Sequence, residues 1–260
     1  MSGRLDGKVA LVTGAALERG IGRGIALTLA DRGADVAIND VAHEEEALRR
    51  VREVEERGRR SVFVRANVTV PEEAGRMVAE VVERLGRLDV FVSNAGVQTW
   101  QELCDVTPAA WEWITGVNLH GTFYGCLAAA AQMRGQGAGG RIVVISSIHA
   151  TMPFASMGVY GATKQAVALL TGVMAREWAR DGITVNHVAP GWVDTDINRD
   201  SPALASEDAR RATLASIPLG HRPAEPREIG EAVAFLAGDG AAYVTGAHLR
   251  VDGGIVIGKY

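Results

Sequence analysis

The chain has 260 residues, of which 22% are charged, and a formal net charge of -4, enough length for one large α/β core or two smaller ones. That balance argues against nucleic acid or an anionic membrane as partner, and no apolar run reaches the ~18–20 residues that a bilayer crossing needs. Cys104 and Cys126 form no CxxC pair, and the polar opening Met1 to Asp6 has no signal-peptide pattern, so the expectation is a soluble cytoplasmic protein.

Lys8–Thr13 reads as a buried first strand. A Gly-rich turn follows, then a helix over about Gly20–Arg32 that ends at Gly33. Asp35–Asn39 is a second strand, and the Glu/Arg-rich span His43–Arg57 is an amphipathic helix with a solvated face. Ser61–Arg65 is a third strand, Pro71 opens a helix to Leu85, and Leu88–Val92 is a fourth strand. Thr107 and Pro108, an N-cap followed by proline, open one long helix over 108–134. Gly135–Gly140 reads as a turn, Ile142–Ser146 as a fifth strand, Gly158–Arg180 as a helix and Gly182–Asn186 as a sixth strand. Residues 197–217 are polar and helix-compatible and read as an inserted substrate lid. Pro226 opens a helix to Ala237, and Ala247–Val251 is a last strand. Strands alternating with helices imply parallel βαβ units. The expected fold is α/β, a single doubly wound Rossmann-type parallel sheet of about seven strands with helices on both faces, spanning 1–260 as one domain.

The first strand runs into Thr13-Gly14, then Gly20-Ile21-Gly22. Glycines let a backbone turn tightly against a pyrophosphate, and the following helix offers free N–H groups and its positive dipole end. The spacing is not GxGxxG, so the argument rests on its place between a first strand and a helix. Asp40, after the second strand, can accept hydrogen bonds from both ribose hydroxyls of an adenosine and repels a 2′-phosphate. Arg19, within the turn, could instead pair with that phosphate. A carboxylate aimed at the ribose makes a phosphate costly there, whereas an arginine can swing away. The weighing favours NAD and leaves NADP as the alternative.

The stretch Ser147 to Lys164 carries the chemistry. On a helix, Tyr160 and Lys164 share one face, so phenol and ammonium point the same way. A phenol titrates near ~10, too high for a base at neutral pH, and a nearby cation lowers it. A fall of about 2–3 units needs about 3–4 kcal/mol of differential stabilisation. Ser147 closes the apolar run from Ile142, where its hydroxyl can hydrogen-bond a substrate oxygen while Tyr160 exchanges the proton.

With these residues assembled, the chain resembles the short-chain dehydrogenase/reductases over essentially its whole length. The likeness rests on Thr13-Gly14, Gly20-x-Gly22, Asn94-Ala95-Gly96, Asn118, Ser147, Tyr160-x-x-x-Lys164, Pro190-Gly191-x-x-x-Thr195 and Val251-Asp252-Gly253-Gly254. The nearest groups are glucose-dehydrogenase-like and 3-oxoacyl-carrier-protein-reductase-like. The resemblance implies interconversion of a secondary alcohol and a ketone with a nicotinamide cofactor. Tyr160 would be the acid/base, Lys164 would lower its pKa and bind the nicotinamide ribose, and Ser147 would orient the substrate oxygen. Asn118 would bend the helix after the fourth strand and hold a relay water. Asn94, Ala95 and Gly96 would line the cofactor, Val68 the adenine, and Val188, Pro190, Gly191, Val193 and Thr195 the nicotinamide end. It also implies homotetramers built through 108–134 and 158–180.

Two departures stand out. Five residues, Ala15 to Arg19, separate glycines that the family spaces by three, so the contacts of Leu17, Glu18, Arg19 and Ile21 stay open. Asn67 stands where the family has an aspartate for the adenine amine, which its amide oxygen could still receive. An NADPH-dependent ketoreductase and a non-catalytic dinucleotide-binding regulator remain as alternatives. His149, Phe154 and Trp192 are candidate walls of the pocket for an alcohol or ketone, with His149 a shaping contact or a second acid/base. His43 beside Glu44 to Glu46 fans around a helix and is not read as a metal site; no metal is expected.

Overall fold

The computed structural model describes residues 5–198 and 201–257. Strands β1 (Val9–Val12), β2 (Asp35–Asp40), β3 (Ser61–Arg65), β4 (Val90–Ser93), β5 (Gly140–Ile145), β6 (Ile183–Pro190) and β7 (His248–Val251) form one parallel sheet in the order β3-β2-β1-β4-β5-β6-β7. The helices are α1 (Ile21–Asp31), α2 (Glu44–Glu55), α3 (Pro71–Leu85), α4 (Pro108–Thr115), α5 (Thr122–Gln136), α6 (Gly158–Trp178), α7 (Glu207–Ala215) and α8 (Pro226–Ala237).

The alternation of each strand decides the two cores. In β1, Ala10 and Val12 pack with Ile25 and Leu29 of α1, Val54 of α2 and Val233 of α8. Val9 and Leu11 face the other way, onto Val81 of α3, Met133 of α5 and Val167 of α6. Burial on both faces explains why these strands read as continuous apolar runs. Among the described residues, no helix is long and apolar enough to cross a membrane.

The structure departs from the expected elements in three places. The helix expected over 108–134 is interrupted by a π-helical segment, Gly116–Gly121, between α4 and α5. Asn118 turns its side chain out of the segment onto the backbone of Val97, and Gly121 lies so close to Val68 that a Cβ would come within 2.7 Å of it. The N-cap held: Thr107 Oγ1 accepts from the Ala110 N–H at 3.2 Å. β6 continues past Asn186 to Pro190, where it pairs with β7. Within the expected lid 197–217, the described part holds two short turns and α7, while residues 199 and 200 lie outside the described residues.

Candidate active site

Strand order reverses between β1 and β4, and a cavity of about 840 Å³ opens at the C-terminal ends of the strands. Gly14, Gly20, Ile21, Asp40, Asn67 and Val68 line one end. Asn94, Ala95, Gly96, Pro190, Gly191, Val193 and Thr195 line the middle, and Ser147, Tyr160, Lys164, His149, Phe154 and Trp192 the far end. Gly22, Asn118 and Arg19 are not in the lining.

The glycine turn is clamped to the strand beside it. Thr13 Oγ1 accepts from the backbone N–H groups of Asn94 and Ala95 at 3.0 and 3.1 Å, and Asn94 Nδ2 donates to the carbonyls of Thr13 and Gly14. Gly14 has φ +61°, and a Cβ there would sit 2.8 Å from Ala95 Cα. Gly22 serves the same clamp from behind, since a Cβ would lie 2.6 Å from Asn94 Nδ2. The added residues of this loop are tied at both sides. Glu18 receives Arg50 of α2 at 2.6 Å, and Arg19 reaches across to Asp194 at 2.5 Å and Asp196 at 4.0 Å. The guanidinium thus sits on the segment after β6, away from the Asp40 end.

Asp40 is 8% exposed at the end of β2. Its Oδ1 accepts from the N–H groups of Val41 and Ala42 and from His43 Nδ1 at 3.2 Å, which leaves Oδ2 unused by these contacts. Asn67 is committed elsewhere than expected. Its Oδ1 receives both the N–H and the hydroxyl of Thr69, at 3.0 and 2.9 Å, an Asx-type turn that uses the oxygen assigned to an adenine amine.

At the far end, Lys164 is buried at 5% exposure and donates from Nζ to the Ile145 carbonyl at 3.0 Å. Burial pushes this ammonium down to about 8. Nζ lies 5.5 Å from the centre of the Tyr160 ring. Tyr160 shows the reverse of the expected shift. Burial raises the phenol above its ordinary value, and a hydrogen bond from Ser147 only partly opposes it. Both groups share one dry site, and the lysine is itself desolvated there. Asn118 is used as a clamp. Its side chain accepts from the Val97 N–H at 2.8 Å, donates to the Val97 carbonyl at 2.9 Å and donates to Thr163 Oγ1 at 3.2 Å. Thr163 in turn donates to the Tyr160 carbonyl at 2.7 Å.

The substrate end is walled by His149, whose ring centre is 6.3 Å from that of Tyr160, and by Phe154, against which Trp100 packs edge-on. The cavity also reaches His43, which pattern reading weighed only against a metal, Gln98 and Trp113, which it did not name, Thr213 and Ser216 of the expected lid, and Ile255 and Val256. His43 had a usable signal, three residues after Asp40. The last four come from the lid and the C-terminal segment, whose approach depends on the folded chain.

A family model described as Enoyl-(Acyl carrier protein) reductase matches residues 14–256. The chain is 42% identical over 253 residues to an L-rhamnose 1-dehydrogenase (NAD(P)(+)) of Sphingomonas sp. (strain SKA58), covering 97% of this chain and 98% of that one. It is 40% identical over 248 residues to a 3-oxoacyl-[acyl-carrier-protein] reductase of Staphylococcus epidermidis, covering 95% and 98%. A crystal structure of a gluconate 5-dehydrogenase from Burkholderia cenocepacia J2315 in complex with NADP and tartrate superposes with TM-score 0.92 at 34% identity, covering 99% and 98%.

Proposed function

The chain belongs to the short-chain dehydrogenase/reductase family, and from that premise we propose that it oxidises the anomeric carbinol of an aldose, preferring NAD over NADP. The observation that carries the reading is the meeting of Tyr160, Lys164 and Ser147 at one end of a cavity whose other end holds the Asp40 carboxylate. The sugar comes from the similarity to the L-rhamnose 1-dehydrogenase, and an apolar wall of Phe154, Trp100 and Trp192 suits a sugar that carries a methyl group.

The residues present fit a nicotinamide dinucleotide. Asp40 Oδ2 would receive the ribose hydroxyls, the Gly14 turn and the start of α1 would hold the pyrophosphate, and Lys164, with one of three donors used by Ile145, would serve the second ribose. When bound, the nicotinamide supplies the hydride acceptor. Ser147 and Tyr160 hold the carbinol oxygen, and the Tyr160 oxygen takes the hydroxyl proton as the C–H hydride leaves and the carbonyl of a lactone forms. Lys164 stabilises the phenolate electrostatically, an effect that the enclosed site strengthens. Asn118 and Thr163 keep the Tyr160 turn in register with the β4 loop.

The exposed Trp111, Phe123, Leu127 and Leu169 support assembly through α4, α5 and α6, as a homotetramer. The unpaired cysteines suit work in the cytoplasm. The test is NADH or NADPH formation with a panel of aldoses and each oxidised cofactor. Turnover of L-rhamnose or another aldose, with higher kcat/KM for NAD, is expected. Activity confined to reduction of a 3-oxoacyl thioester with NADPH would instead support the ketoreductase reading that the Staphylococcus relative favours.

A further inference from the structure

His149 is fixed to the reacting end of the cavity by two hydrogen bonds. Its backbone N–H donates to Ser147 Oγ at 3.2 Å, inside the short turn Ile148–Ala150 that follows β5. Its ring Nδ1 lies 3.2 Å from the Met152 carbonyl. A carbonyl only accepts, so Nδ1 carries the proton and Nε2 is left as a bare acceptor. No described hydrogen bond uses Nε2. Burial lowers the pKa of the ring, which keeps it neutral. Around it the wall is aromatic: Phe154 at 5.5 Å between ring centres, Tyr160 at 6.3 Å, and Trp100 behind Phe154.

We propose that His149 Nε2 accepts a hydrogen bond from a hydroxyl on the carbon next to the reacting carbinol, so that the enzyme selects vicinal hydroxy substrates over simple secondary alcohols. The proposal rests on the reading of Tyr160 and Ser147 as the reacting end. It names the feature that separates sugars and diols from 3-oxoacyl thioesters, which lack that hydroxyl. An acceptor in an apolar wall favours the ligand that satisfies it and penalises the analogue that leaves it bare.

The experiment compares kcat/KM within two matched pairs, L-rhamnose against its 2-deoxy analogue and 2,3-butanediol against 2-butanol, in wild type, His149→Leu and His149→Gln. Wild type is expected to prefer the vicinal member of each pair by at least about tenfold. His149→Leu should collapse the ratio towards one through KM of the vicinal member, and His149→Gln, which keeps an acceptor, should restore part of it. A merely structural role would lower both members equally and leave the ratio intact, and that result overturns the proposal. Failure on both sugars with the butanediol preference present would refute the aldose reading and leave His149 in its role.

Discussion

At the scale of single residues, Tyr160 has the clearest assignment and the least expected electrostatics. A tyrosine and a lysine one helical turn apart were legible as a pair from spacing alone. The sign of the phenol's shift was not, because burial is set by how β5, the β4 loop and α6 pack together, which no local pattern shows. Burial raises Tyr160 and drives Lys164 to about 8. Burial thus favours the neutral phenol, against which Lys164 and Ser147 act. Tyr160→Phe removes the acceptor and keeps the ring, so turnover should fall at least about 10²-fold. NADH affinity, read by fluorescence titration, should be unchanged. Turnover within a few-fold of wild type would take the proton transfer away from Tyr160. The same residue predicts the pH profile: kcat/KM for oxidation rises with pH, since the phenolate must form first, and a flat profile from pH ~6 to ~10 would contradict that.

At the scale of elements, strands and helix starts were legible because their causes are local. Pro71, Pro108 and Pro226 each sit at N1 of α3, α4 and α8, and apolar runs gave the buried strands. The bend at the π-helical segment was foreseen only through the family resemblance at Asn118, since no local pattern shows it and it follows from a tertiary demand. Asn118 must turn to serve both backbone groups of Val97, and that pulls one turn of the helix wide. Asn118→Ala strands the Val97 amide and carbonyl, so chemical denaturation should show a loss of about 1–3 kcal/mol. KM for the cofactor should also rise, because Val97 and Gly96 border the cavity. A variant as stable as wild type would mean that the clamp is dispensable. The lengthened glycine loop gives a second test. Asp194 holds Arg19 at 2.5 Å with both side chains more than half exposed, so Arg19→Ala should change stability by less than about 1 kcal/mol. KM values for NAD and NADP should move in parallel. A selective loss for NADP would return Arg19 to a 2′-phosphate.

At the scale of the whole molecule, the sheet order and its two cores followed from the βαβ alternation, and so did the end at which ligands bind. What escaped was long-range convergence: Ile255 and Val256 reach the cavity across many strands, and His187 meets His248 only because β6 and β7 pair in register. His187 sits inside β6 at 4% exposure, its ring 4.4 Å from that of His248, with both ring nitrogens lacking a partner among the described residues. Burial and the second imidazole push it down to about 4. The unfolded chain would titrate this residue near its ordinary ~6.5, so between the two values the unfolded state binds more protons. Stability therefore rises with pH through that window, is fully present above it and is lost as pH falls towards 4. The span amounts to on the order of 3 kcal/mol at most. Because one sheet carries both cores, that titration should be felt in the global transition rather than in a local one. His187→Leu removes the titration while keeping an apolar group against β7. Its melting temperature should fall less between pH ~7 and ~5 than that of wild type. Equal slopes for the two proteins would show that acid sensitivity originates in other groups.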